Sequence, residues 1–306
     1  MKRIGIMGLC LAAVCAMSAL ATATASAALP EWGKCVKFVN QHGKNVGNYE
    51  NPGCTKKTEV AKTGAWEWQA APKSIPSPAF TSHGGAAVLE TTSGPFTAVT
   101  CVSEEAHGNL SGSKEVREVS VLFKGCHLSF GGNEGGFYTC GNGLLPPQGE
   151  AKEGEIETRN LKGKLGFISG KGEENPSVGL SLEPEEKKGL FAQFMCAERY
   201  LVVRVGGFPK GKGNDSIISP IGPVNSMSVA NTQTYKAQER EVEPGKFEEE
   251  PGIQNPTHFE GGKEDYLETE TSYSKGPFGE IVQSAQTLTT VNQLDSGEEV
   301  EIRGTS

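Results

Sequence analysis

Positive charge is in short supply: Lys and Arg number 29 against 37 Asp and Glu, a formal net charge of −8. An acidic chain without a basic stripe repels phosphate backbones, so nucleic acid is not an expected partner. Aromatic residues make up only 7% of the chain, and the core must therefore lean on Val, Leu, Ile and Ala. Beyond residue 28 there is no second long apolar run, which leaves no stable membrane span once the leader is removed. No G-x-S-x-G elbow, H-E-x-x-H, P-loop, strand-following G-x-G-x-x-G or EF-hand loop is present. Amphipathic helices are missing too. The best short stretch is 183–190, with Pro184 near its first turn.

What is abundant is turn chemistry and alternation. The chain has 40 Gly and 17 Pro in 306 residues, too many breakers for a helical protein. Period-2 patterns recur between them. In 115–124, Val119, Val121 and Phe123 point one way while Glu118 and Ser120 point the other. Segments 86–91 and 97–102 flank Ser93-Gly94-Pro95 and read as a hairpin. Many short strands between Gly- and Pro-rich turns predict an all-β fold, an antiparallel β-sandwich or barrel-like body.

The address lies at the start. Lys2 and Arg3 precede an uncharged stretch over 4–20, and Ala25-Ser26-Ala27 supplies an A-x-A site, so residues 1–27 read as a secretory signal peptide. The rival, an uncleaved anchor, has only 17 apolar residues, at the short limit for a bilayer span. Cys10 and Cys15 leave with the peptide, because Leu9 and Val14 before them are too bulky for a lipoprotein cleavage site. Cleavage leaves 27 basic against 37 acidic residues, a net charge of −10. A secreted, extracellular or cell-envelope location follows.

Six cysteines remain, and an even count in an exported chain favours disulfides. Zinc needs closer pairs than any found here, and His127 beside Cys126 is the only Cys/His neighbour pair, so no metal is expected. Six cysteines allow 15 connectivities. Joining sequence neighbours first gives Cys35–Cys54 and Cys126–Cys140, and leaves Cys101–Cys196. Proline-rich residues 71–78 suggest a joint between a small disulfide-tied N-terminal module, 28–75, and a main antiparallel domain, 76–306. Acidic residues 241–256 read as a solvated loop within that domain.

Chemistry is weakly marked. His42, His83, His107, His127 and His258 show no triad spacing. Glu268 and Glu270 share a strand face, the kind of pair glycosidases use, although a solvated face is the plainer reading among 37 acidic side chains. Gly-rich runs at 131–136 and 211–215 offer Asn133 and Glu134, or Asn214 and Asp215, too few oxygens for calcium. No cofactor and no catalytic residue is expected. Trp32, Trp66 and Trp68 are the least bland feature. Indoles stack on sugar rings, which makes a cell-wall or extracellular glycan the candidate partner, whereas the plainer reading has Trp32 and one of the other two plug the base of the N-terminal module.

Ala28-Leu29-Pro30-Glu31-Trp32-Gly33-Lys34-Cys35, followed by Pro52-Gly53-Cys54-Thr55, resembles the mature start of a large set of exported actinobacterial proteins of unknown function. The likeness continues through Trp66-Glu67-Trp68, Phe80-Thr81-Ser82-His83-Gly84-Gly85-Ala86-Ala87, Val99-Thr100-Cys101 and Phe123-Lys124-Gly125-Cys126. It extends to Gly163-Lys164-Leu165-Gly166-Phe167-Ile168 and Ile217-Ile218-Ser219-Pro220-Ile221, covering most of the chain after the leader. The resemblance implies an exported location and carries no assigned activity. The expectation is thus a secreted, non-catalytic β-rich protein with a binding or structural role. The alternative is a secreted hydrolase or lyase acting on polysaccharide.

Overall fold

The computed structural model describes residues 29–75, 78–93, 98–129, 137–142, 153–186, 189–197, 200–206, 208, 216–256, 258–260, 263–264, 267–273 and 276–305. The signal peptide, both glycine-rich runs and the Gly94-Pro95 turn lie outside them. All regular elements among the described residues are β-strands.

Eight strands pair into a closed antiparallel ring. Ala79–Gly84 pairs with Ser103–Leu110, which pairs with Glu115–Lys124, then Leu161–Ser169 and Ser177–Pro184. Ile217–Gly222, Ala230–Glu243 and Val282–Leu294 follow, and the last returns to Ala79–Gly84. Closure removes every free edge from this barrel. Alternation decides the inside. Leu161, Gly163, Leu165 and Phe167 are buried while Lys162 and Lys164 between them are not.

The 13-residue strand Val282–Leu294 then does double duty. Its second half belongs to the barrel, through Leu288–Gln293 and Thr290–Leu294. Its first half pairs with Leu267–Tyr273 on one edge and Ala87–Thr91 on the other. From these the pairing runs through Ala98–Cys101, His127–Ser129 and Phe137–Gly141, and through Leu201–Gly206 and Leu190–Cys196, whose ends meet. A second ring of eight thus shares one strand with the first. Where the shared strand changes partners, backbone groups are left over. Buried Gln254 takes them up: its Nε2 donates to Lys236 O and Gln286 O, and its Oε1 accepts from Gln286 N.

A separate four-stranded sheet closes the base in the order Met227–Ser228, Val300–Arg303, Glu31–Lys37, Trp66–Ala70. The N-terminal segment therefore shares its sheet with the chain's last strand, Glu31 opposite Arg303. Trp32 N donates to Ser113 O and Lys114 Nζ to Leu29 O, which seats this sheet against the barrel.

Two expectations require correction. The disulfides are Cys35–Cys54, Cys101–Cys126 and Cys140–Cys196, so only the first matches the sequence-neighbour scheme. Strand register decided the others. Cys140 lies directly opposite Cys196, and pairing of Thr100 with His127 brings Cys101 beside Cys126. Residues 241–256 are not a loop but most of a hairpin, Ala230–Glu243 against Lys246–Asn255. Its Pro244-Gly245 turn uses the positive φ of Gly245, +78°, and residues 251–253 are absorbed in an irregularity of the ladder. The described residues of 183–190 hold no helix: Pro184 ends a barrel strand opposite Leu161.

Candidate functional site

Inward-facing side chains normally fill an eight-stranded barrel, or leave room for one small ligand. Here they leave an internal cavity of about 130 Å³, running from Trp32 and Val300 at the base to Phe194 and Val205 in the second ring. Its wall is mostly apolar. Leu161, Leu180, Leu182, Ile217, Ile221 and Val116 line one side.

The opposite side is polar, and register places it there. Four adjacent strands carry a row Gln233–Thr290–Gly84–Glu104. The next row, two residues along, reads Asn231–Asn292–Ser82–Ala106. Ser82, Glu104, Asn231, Gln233, Thr290 and Asn292 all line the cavity. Ser82 Oγ donates to Asn292 Oδ1, and Asn292 Nδ2 donates to Asn231 O. Three atoms of this wall are buried and without a hydrogen-bond partner among the described residues: the acceptors Glu104 Oε2 and Asn231 Oδ1, and the Thr290 hydroxyl, Oγ1.

Glu104 is the centre of the site. It is 2% exposed. Gly84 opposite it makes the room, because a Cβ there would meet Glu104 Oε2 at 2.5 Å and Leu288 Cδ1 at 2.9 Å. Burial pushes the Glu104 carboxyl above the ordinary glutamate range. The nearby Thr290 hydroxyl and the charge of His83 oppose that rise without cancelling it. Thr290 Oγ1 completes no hydrogen bond of ordinary geometry. Among the described lining residues there is no Lys, Arg or His, so the carboxyl has no cation of its own inside the cavity.

The base of the barrel is closed by a second polar cluster. Trp32 is 3% exposed and reaches the cavity. Arg303 lies over the Trp68 ring at 3.5 Å and donates through Nε to Glu301 at 3.1 Å. Trp68 Nε1 donates to Glu31 Oε1 at 2.7 Å. Burial raises the Glu31 carboxyl above its ordinary value, against the hydrogen bond from Trp68 and the charges of Arg303 and Lys114.

Of the tryptophans singled out from sequence, only Trp32 reaches the cavity. Trp66 and Trp68 are half-buried, side by side on one strand, and one Trp68 face already carries Arg303. The carboxylates Glu268 and Glu270 are not brought together as an exposed pair. Glu268 is buried, while Glu270 bonds Arg204 Nη1 at 3.2 Å on a strand of the second ring. His42, His83, His107 and His258 are exposed, and His127 is half-buried beside Gly125. None of the five lines the cavity. Among the described residues, no three His, Cys, Asp or Glu side chains gather closely enough to hold a metal ion, and no helix is long and apolar enough to cross a membrane.

Sequence reasoning missed the polar wall entirely. A signal existed: Leu288, Thr290, Asn292 and Leu294 share one parity, as do Asn231, Gln233 and Tyr235. Polar residues interrupting the inward face of a strand, with apolar residues of the same parity beyond them, mark a wet patch inside a barrel. The chain matches no known protein family, no curated protein and no solved structure.

Proposed function

We propose that the chain is an exported, non-catalytic binding protein of the cell surface or extracellular space, which holds a small apolar molecule inside its first barrel. The carrying observation is the cavity itself, an apolar space lined on one side by buried polar groups with unmet hydrogen-bonding capacity. Enclosed apolar space with a few convergent polar atoms is the usual anatomy of a small-molecule site. Its volume fits a compact guest, since an engineered apolar cavity of about 150 Å³ takes up benzene.

Three disulfides support the location, because such bonds persist in oxidising compartments. The non-catalytic part rests on Glu104, which stands in the cavity with no second carboxyl, no histidine and no lysine among the described lining residues to share a proton transfer. The tryptophans lend the glycan reading no added support, given what occupies Trp68. Toluene and cyclohexane, which have no polar head, test the binding itself. A guest held only by the folded state adds about 2.7 kcal/mol at a hundredfold excess over Kd. The disulfide-intact protein should therefore show a saturable rise in Tm with either probe, and a purified sample should release a small apolar molecule in native mass spectrometry. A flat Tm together with an empty native mass would end the proposal.

A further inference from the structure

We infer that the cavity's guest carries a hydrogen-bond-donating head, an amine or alcohol, and that Glu104 is the residue that selects it against carboxylic acids. This inference deepens the binding role proposed above and rests on it. The argument is one of charge and unmet acceptors. Glu104 is the single carboxyl on the cavity wall among the described residues, and its Oε2 lacks a donor. Burying such an oxygen without a partner is costly, and a guest that brings the donor recovers that cost.

Asn231 Oδ1 is a second unpartnered acceptor of the wall, and the remaining unpartnered group, the Thr290 hydroxyl, lies beside Glu104. A carboxylate guest would bring negative charge beside the Glu104 carboxyl, in a site with no cation among its described lining residues. Gly84 completes the arrangement. Its missing side chain leaves the Glu104 carboxyl lying across the strand between Ser103–Leu110 and Val282–Leu294, facing Thr290 rather than folded against a wall. The apolar side formed by Leu161, Leu180 and Leu182 then takes the rest of the guest. An ammonium head pairs with the ionised carboxyl. A hydroxyl head donates to it without requiring ionisation.

A matched series decides the point: hexylamine, hexan-1-ol and hexanoate, titrated calorimetrically against the disulfide-intact protein. At pH 7 hexylamine and hexan-1-ol should each bind at least about tenfold more tightly than hexanoate, a difference of about 1.4 kcal/mol. In Glu104→Gln the preference of hexylamine over hexanoate should collapse to within about threefold. The unsubstituted protein supplies a second test that needs no variant. Its affinity for hexylamine should rise as the pH is raised through the Glu104 titration, and its affinity for hexan-1-ol should not follow. Hexanoate binding as well as hexylamine, or an unchanged preference in Glu104→Gln, would overturn the head-group assignment while leaving the carrier reading intact if toluene still binds. If neither toluene nor any of the hexyl compounds binds, both fall together.

Discussion

The Arg303–Glu301 pair and Glu104 show opposite ways of burying an ionisable side chain in this chain. Arg303 and Glu301 form an ion pair at 3.1 Å, their side chains only 8% and 7% exposed, and Arg303 is stacked on Trp68. Removing one partner of such a pair strands the other, which typically costs about 3–5 kcal/mol. Arg303→Met should lower unfolding stability by that order in urea titrations, with Glu301 left without its cation and Glu31 losing one of the two positive charges near it. Glu104 has no partner of that kind. A carboxyl whose folded pKa is raised keeps its proton where the unfolded chain has already released one, so stability falls as pH rises from the ordinary glutamate value through the raised one. Glu104→Gln removes this penalty. Its Tm should therefore exceed that of the unsubstituted protein at pH 7, and the gap should close as the pH is brought below 4.5, the ordinary value. A gap that widens on acidification would contradict the burial argument.

At the level of the element, the acidic run at 241–256 is instructive. Its charges and prolines resemble a solvated loop, yet a two-residue Pro244-Gly245 turn and backbone pairing with 236–243 make it a hairpin. Composition misjudged the backbone conformation, because a ladder needs only backbone groups and a partner in register. Gln254, at the end of that hairpin, is 1% exposed and satisfies three backbone groups where the shared strand changes rings. Gln254→Leu keeps the volume and loses all three bonds. A loss of about 3 kcal/mol is expected from the groups left unsatisfied, with amide exchange accelerated first at Gln286. The disulfides give a parallel check. Peptide mapping without reduction should recover Cys101 linked to Cys126 and Cys140 linked to Cys196. The double substitution Cys140→Ala, Cys196→Ala opens a separation of 56 residues and should cost about 4 kcal/mol in the chain-entropy account.

For the whole molecule, two rings sharing Val282–Leu294 explain how a chain with 7% aromatics still builds a continuous interior. Each ring is closed, and the base sheet joins the N-terminal segment to the final strand, where Ile302 is fully buried. Deleting residues 300–306 should therefore abolish cooperative unfolding and near-UV circular dichroism, although the deleted piece is short. The sequence by itself determined the strand-rich class, the six cysteines available for pairing and the acidic surface, because alternation, residue type and charge are local quantities. It could not determine which cysteines join, that the strands close into rings, or that Ser82, Glu104, Asn231 and Thr290 meet in one wall. Those facts depend on register between strands up to some two hundred residues apart, as Ser82 and Asn292 are. A shift of one residue along any of these ladders would have turned the same side chains outward to water.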